Sequence, residues 1–303
     1  MSQIPIFLLT TKKTKRKKTV IKRLKKLKLD FKTIYGLDAK NSKNQNFLSK
    51  IYNKKEAIKN TNRELSFFDI ACAHGHLKIY KEIVRNKIKS AIIIEDDCFL
   101  SKEICQWAKI NEKNIIKYDL IQLFSPDGFL INKFEKINSR FKIYKAASKL
   151  STTTCYQINL KTCIYILKKT KEKVCSVADW PLNFQIDNIK HYMVLPLVAC
   201  IQTNHLQTST NKGVHLKRLK RSQIKEYIPF YSFISAIYYI LHIPFIFNKE
   251  INYNYYKEEY FSRKVIYLKS LFTKNYINIE NILKDKKFYS KDLRFSLLRL
   301  NKN

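Results

Sequence analysis

Glycine is scarce in this 303-residue chain, and acid is scarce beside base. It holds 4 Gly and 2 Met, and its 24 acidic residues face 59 Lys and Arg, for a formal charge of +35. So large a positive charge invites a nucleic-acid reading, because clustered Lys and Arg attract phosphate through counterion release. The excess is nearly all Lys, accompanied by abundant Asn, Ile and Tyr, which is the residue set that an A/T-rich coding bias favours. Lys spread along a chain in this way reads as a solvated surface. No C-x-x-C pair occurs among the 7 cysteines, and their number is odd. This argues against a disulfide framework or a zinc ribbon and for a reducing cytoplasm. The N-terminus has no secretory signal pattern, since its short apolar run precedes the charges. No internal repeat is present. With 45% hydrophobic residues the chain is not disordered and can bury a substantial core.

What is present alternates between strand and helix patterns. Ile4 to Leu9 reads as a first strand, and Val20, Ile21, Leu24, Leu27 and Leu29 form the apolar side of a Lys-rich amphipathic helix. "FKTIYGLDAK" then reads as a second strand with a turn at Gly36, and residues 39–63 as a polar loop with one helical turn. Ile70, Ala73, Leu77, Tyr80 and Val84 recur at three and four, giving a long helix that delivers the chain to a strand at Ala91–Ile94. Further along, the pattern predicts a helix around Ile104–Ile116, strands at "YDLIQLF" and "FKIYKAA", and a strand turning into a helix within "LSTTTCYQINLKTCIYILKKTK". A further helix and a strand ending near Pro196 follow. Alternation of this kind predicts an α/β fold.

The stretch "AIIIEDDCFL" carries the chemistry. An apolar run that ends in Glu95, Asp96 and Asp97 is a buried strand whose last residues surface at a sheet edge. Strand alternation would put Glu95 and Asp97 on one side and Asp96 on the other. Two oxygen donors on one side suit a hard divalent cation, Mg²⁺ or Mn²⁺, with open positions for diphosphate oxygens. The same three acids could also be a structural acidic turn. In "CAHGH", His74 and His76 are two apart on a helix and do not face each other, so they are not a ligand pair. His205 and His242 read as structural histidines, and the cysteines as small core hydrophobes.

In order along the chain, "DIACAHGHLKIYKEIV", "AIIIEDDC", "STTTCYQINLKTCIYIL", "ADWPLNF" and "YMVLPLVACIQ" resemble glycosyltransferase family 25, the lipooligosaccharide galactosyltransferase type. The likeness runs from Ile4 to Ser209. Asp69 stands where the family has Glu, Cys72 and His76 match its Cys and His, and Gly75 replaces a Ser. Glu95, Asp96 and Asp97 match its acidic motif, Asp179 its later Asp, and Pro196 and Gln202 its last block. Near the start Arg16 fits the second Arg of an N-L-x-R-s-x-x-R pattern, while Leu9 and Lys12 depart from it.

The resemblance implies a GT-A-like, Rossmann-type α/β/α sandwich with a mostly parallel sheet, and an inverting, metal-dependent transfer of a hexose. The implied donor is UDP-galactose, and the acceptor a hydroxyl of a bacterial surface glycan such as lipooligosaccharide or lipopolysaccharide. On this reading Thr10, Arg16, Asp69, His76, Glu95 and Asp96 hold the nucleotide sugar, Asp97 with Glu95 holds Mn²⁺ or Mg²⁺, and Asp179 or Asp127 is the general base. The "SPDG" around Asp127 is also strong turn chemistry. The alternatives are a basic nucleic-acid- or membrane-binding protein with a structural acidic cluster, or an inactive family member.

The transferase domain is expected over residues 1–212. Residues 213–303 read as a mainly helical, basic, aromatic-rich appendage. Within it, Tyr227–Phe247 lacks any acid, Lys or Arg and approaches the ~20 apolar residues of a membrane span. Its prolines, serines and tyrosines make a weak span, and its basic flanks and aromatic content suit a segment lying at the inner face of the cytoplasmic membrane, or else the stretch is a pair of buried helices.

Overall fold

The structure, a computed structural model, describes residues 3–202 apart from 62, 149 and 179–188, together with 266, 269–270 and 273–285. In chain order the elements are β1 Ile6–Thr10, α1 Lys17–Lys26, β2 Lys32–Tyr35, α2 Ser42–Ile51, α3 Lys54–Thr61, α4 Phe67–Arg85, β3 Ser90–Glu95, β4 Cys98–Leu100 and α5 Ile104–Trp107. A 3-10 turn at Glu112–Asn114 leads to β5 Leu120–Gln122, β6 Phe129–Lys136, β7 Lys142–Ala146, β8 Cys155–Asn159, α6 Leu160–Thr170, β9 His191–Leu195 and β10 Ala199–Ile201. β11 Tyr276–Asn278 and α7 Ile279–Lys284 complete the described part.

Among the described residues nine strands form one sheet, in the order β11-β6-β7-β9-β5-β8-β3-β1-β2, and β4 pairs with β10 in a small separate ribbon. The α/β class is as the pattern implied, and the sheet is mixed. β2, β1 and β3 are parallel, as are β5 and β9, whereas β8 runs antiparallel between β3 and β5, and β7, β6 and β11 continue antiparallel to the far edge.

Strand alternation divides the core in two. Ile6, Leu8, Ile92 and Ile94 face one side, packed with Val20 and Leu24 of α1, Trp107 of α5 and Leu100 of β4. Phe7, Leu9, Ala91 and Ile93 face the other, packed with Ile70, Ala73, Leu77 and Tyr80 of α4 and with Cys163 and Ile166 of α6. Because both faces are covered, β1 and β3 are apolar without a break. The basic helix α1 therefore spends its apolar stripe on the sheet, and its Arg23 Nε donates to the Leu100 carbonyl at 2.8 Å.

Local chemistry sets several boundaries. α4 starts with a capping box in which Ser66 accepts from the Asp69 N–H while the Asp69 carboxylate accepts from the Ser66 N–H, satisfying two orphan donors. Asn159 accepts from Thr162 N–H and so turns β8 into α6.

Three expectations change. Residues 39–63 are not a loop with one turn but contain α2 and α3, whose Leu48 and Ala57 are buried against α4's layer. Their polar composition hid a narrow apolar contact. The helix expected over 104–116 is four residues of α5 and a 3-10 turn. β6 and β11 have exposed faces and little alternation, and neither was anticipated. β11 lies within the C-terminal ninety-odd residues yet extends the main sheet, and Ile279 and Ile282 of α7 join its core. Asp179, the 212/213 boundary and Tyr227–Phe247 lie outside the described residues. Among the described residues no helix is long and apolar enough to cross a membrane.

Candidate functional site

Strand direction builds the site. β1, β3, β5 and β9 run the same way, so their C-terminal ends open onto one edge of the sheet, and β8 starts from that edge. This gathers Thr10, the turn after Glu95, the Ser125–Asp127 segment and Thr152–Thr154. It is the edge where open α/β sheets bind ligands.

The acidic run departs from strand alternation. β3 ends at Glu95, and Asp96 and Asp97 make the turn into β4, so each carboxylate is aimed separately. Asp96 is buried and accepts from Thr10 Oγ1 at 2.7 Å and from Arg16 Nη2 at 3.0 Å. The Glu95 Oε1 lies 2.9 Å from His76 Nε2 and accepts from Thr153 Oγ1, while its N–H donates to the Thr154 carbonyl at 2.9 Å. Asp97 is half-buried, but its Oδ1 is enclosed and has no hydrogen-bond partner among the described residues. Gln202 braces the turn from behind. Its N–H donates to the Asp97 carbonyl at 2.7 Å and its Nε2 to the Cys98 carbonyl at 2.6 Å.

The electrostatics follow these contacts. Burial, with the negative charge of Glu95 and then Asp96, pushes the Asp97 carboxyl from an ordinary 3.8 up to about 8, against the pull of Arg16. Burial also raises Asp96, outweighing Arg16 and Thr10. For Glu95 burial is overcome by the hydrogen bond and charge of His76, helped by Thr153 and Arg16, and the carboxyl is held below its usual range. Two of the three acids thus have cationic or imidazole partners. The third, Asp97, is offset only in part by Arg16, and its Oδ1 has no hydrogen-bond partner among the described residues.

A buried polar chain runs inward from Glu95. His76 Nδ1 is 2.8 Å from the Tyr156 hydroxyl, which is 2.8 Å from the Tyr80 hydroxyl. His76, Tyr156 and Tyr80 are all essentially inaccessible to solvent. Burial raises both tyrosines, so both stay protonated at any physiological pH. Gly75 lets α4 approach β1 closely enough for this chain, since a Cβ there would lie 2.8 Å from Leu9 Cδ1. Cys72, one helical turn before His76, completes a group with His76 and Glu95 in which one ligand atom from each lies within 4.8 Å of the others. His74 faces elsewhere, with its ring edge-on to Phe47 of α2 at 5.6 Å. Burial and then the nearby Lys78 and Lys81 lower it to about 4, so it is neutral.

Of the residues singled out from sequence, Thr10, Arg16, His76, Glu95, Asp96 and Asp97 come together. Asp69 does not join them. Its carboxylate is spent on Ser66 and on Arg63 at 2.9 Å, about 10 Å along α4 from His76. Asp127 is on the right edge but its Oδ1 accepts from Ser151 Oγ at 2.7 Å, as a turn residue would. Asp179 lies outside the described residues, although Ala178 before it lines a small cavity with His76 and Tyr80. Sequence reasoning passed over Thr153, Tyr156 and Tyr80. The four-residue steps from Cys72 to His76 and from His76 to Tyr80 were the available signal, since they place all three on one side of α4.

Among solved structures, the mannose-1-phosphate geranyltransferase from Thermus thermophilus is similar at 8% identity and a TM-score of 0.31, covering 56% of this chain and 61% of that one. The match thus spans under two thirds of that protein's length, and so distant a likeness carries no argument. A search of curated proteins found no match. The family model described as "Glycosyltransferase family 25 (LPS biosynthesis protein)" matches residues 3–183, which include every member of the cluster around Glu95. With more than half of its length in that match, the chain belongs to glycosyltransferase family 25, a family of lipopolysaccharide biosynthesis.

Proposed function

We propose that this transferase moves a hexose, with inversion, from a uridine diphosphate donor such as UDP-galactose to a hydroxyl of lipooligosaccharide or lipopolysaccharide, and that it requires Mn²⁺ or Mg²⁺. The observation that carries this reading is the enclosed Oδ1 of Asp97, which has no hydrogen-bond partner among the described residues, beside the Arg16–Asp96 pair. An oxygen donor whose charge is opposed by burial and by Glu95 and Asp96, and offset only in part by Arg16, fits a hard divalent ion. Asp97 would hold it. Glu95 was the expected second ligand, but its Oε1 is already engaged by His76 and Thr153, which leaves the remaining positions to diphosphate oxygens and water. When bound there, the ion supplies positive charge against the departing diphosphate.

The chain's own residues supply the rest. Asp96, itself held by Thr10, holds Arg16 at the start of α1, and Lys12, Lys13 and Lys15 are exposed in the same loop, so positive charge is concentrated beside the edge where a diphosphate would lie. Arg16 is half-buried and already oriented, and therefore loses little freedom on meeting a phosphate. The base that takes the acceptor's proton is Asp179, with Asp127 second. Asp127 ranks second because its Oδ1 is tied to Ser151. Action on a lipid-linked glycan suits a protein working at the inner face of the cytoplasmic membrane. The test is a hydrolysis screen of UDP-, GDP- and CMP-sugars with Mn²⁺ or Mg²⁺ added or chelated. Metal-dependent release of UDP is expected, and turnover unaffected by chelator would contradict the reading.

A further inference from the structure

We propose that Cys72, His76 and Glu95 form a second cation site, distinct from Asp97 and selective for Zn²⁺. Cys72 and His76 are four apart on α4 and therefore present side chains on one side of the helix. That side meets the end of β3, where Glu95 supplies the third donor, and the three ligand atoms lie within 4.8 Å of one another. A thiolate, an imidazole and a carboxylate are the donor types of zinc, and three protein ligands leave a fourth position for water. Mg²⁺ and Mn²⁺ prefer all-oxygen surroundings, which the Asp97 turn offers and this cluster does not. Cys72 is half-buried, and Glu95 is partly exposed, so the cluster is not sealed in the core.

The hydrogen bonds around the cluster prepare it for an ion. Metal-binding imidazoles use their other nitrogen on a supporting partner, which fixes the ring and its tautomer. Here Nδ1 is held by Tyr156, itself held by Tyr80, and Glu95 is held by Thr153. Zinc takes the place of the proton on Nε2 that faces Glu95 at 2.9 Å, and the ring keeps one proton, on Nδ1, donated to Tyr156. A neutral ring reaches that state by moving its one proton from Nε2 to Nδ1 while Tyr156 turns its O–H toward Tyr80, so that the proton released is that of the Cys72 thiol; an imidazolium releases its Nε2 proton as well. Since each hydroxyl can both donate and accept, the contacts along the chain survive the reversal. The inference does not depend on the identity of the sugar donor.

The test uses the full chain, stripped with chelator and dialysed against Zn²⁺, with Co²⁺ as a spectroscopic substitute. One tightly held Zn²⁺ per chain is expected, together with a thiolate-to-Co²⁺ charge-transfer band. Cys72→Ser should remove the band and weaken zinc by more than the about 10–100-fold that loss of a supporting partner costs. Tyr156→Phe should fall within that range. Cys72→Ser is nearly isosteric at a half-buried position, so its melting curve should match the wild type even if His76→Gln fails to fold. Asp97→Asn should keep zinc while losing Mn²⁺-dependent donor hydrolysis, which separates this site from the proposed catalytic one. No retained zinc, zinc binding unchanged by Cys72→Ser, or zinc lost on Asp97→Asn would each overturn the proposal.

Discussion

Replacing Asp97 by Asn should stabilise the metal-free protein at neutral and alkaline pH. The folded-state pKa of Asp97, about 8, lies above the ordinary 3.8. Between about pH 4 and 8 the native chain therefore holds a proton that the unfolded chain has released, and stability falls as pH rises through that window. Glu95 runs the other way. Its folded value is lowered, so its contribution is present above the ordinary 4.5, is lost only on acidification, and adds no slope between pH 6 and 8. Burial with the charges of Glu95 and Asp96 opposes ionisation of Asp97, and Arg16 favours it. The gap of about four in pKa, at about 1.4 kcal/mol for each tenfold change in proton affinity, sets a ceiling of about 5–6 kcal/mol. Asp97 is partly exposed and its surroundings can relax, so about 1–3 kcal/mol is expected at pH 8, or several degrees in melting temperature. The assay is thermal unfolding in chelator at pH 5, 6, 7 and 8. The variant should gain on the wild type steadily with pH, and Mn²⁺ should restore the wild type while leaving the variant unmoved. A variant that melts at or below the wild type at pH 8, with the same fold, would refute the reasoning.

Ser66→Ala should remove the capping box of α4 at a cost of about 1 kcal/mol, read in urea unfolding, with little change in donor affinity; a large rise in KM for the donor would instead return Asp69 to the nucleotide site. Trp107→Ala should cost about 3–5 kcal/mol, since the ring is fully buried and its Nε1 donates to Gln157 Oε1 at 2.8 Å. Deleting residues 276–285 should lower the melting temperature, because it strips an edge strand and the buried Ile279 and Ile282 from the main core; an unchanged melt would place β11 outside the folded unit. Binding to nucleic acid should be weak and strongly salt-dependent, and a tight complex at physiological salt would favour the alternative reading of the basic surface.

The parts legible from sequence were those in which one physical pattern dominates. β1 and β3 are unbroken apolar runs because both faces are covered, and α4 repeats at three and four because it packs along one stripe. The turn at Asp96–Asp97 was not legible. Alternation is a property of strands, and β3 stops one residue before Asp96, so Glu95 turns to His76, Asp96 to Arg16, and the Asp97 Oδ1 is enclosed apart from both. Asp69 was misleading because the same carboxylate that can bind a ligand also caps a helix, and only the neighbouring Ser66 tells which. Tyr156 was hidden for a different reason. On a strand it reads as one more core residue, and its hydroxyl matters only because β8 lies antiparallel beside β3 and opposite α4. Such pairings come from long-range topology that local periodicity does not carry.

The central claim is that Asp97 at the sheet's carboxyl edge makes sugar transfer metal-dependent. It is tested most directly by assaying UDP release from UDP-galactose by wild type and Asp97→Asn, each with Mn²⁺ and with chelator. The account predicts activity in one of the four combinations, wild type with Mn²⁺, from a variant that is folded and at least as stable. Full turnover by wild type in chelator, or by Asp97→Asn with Mn²⁺, would contradict it.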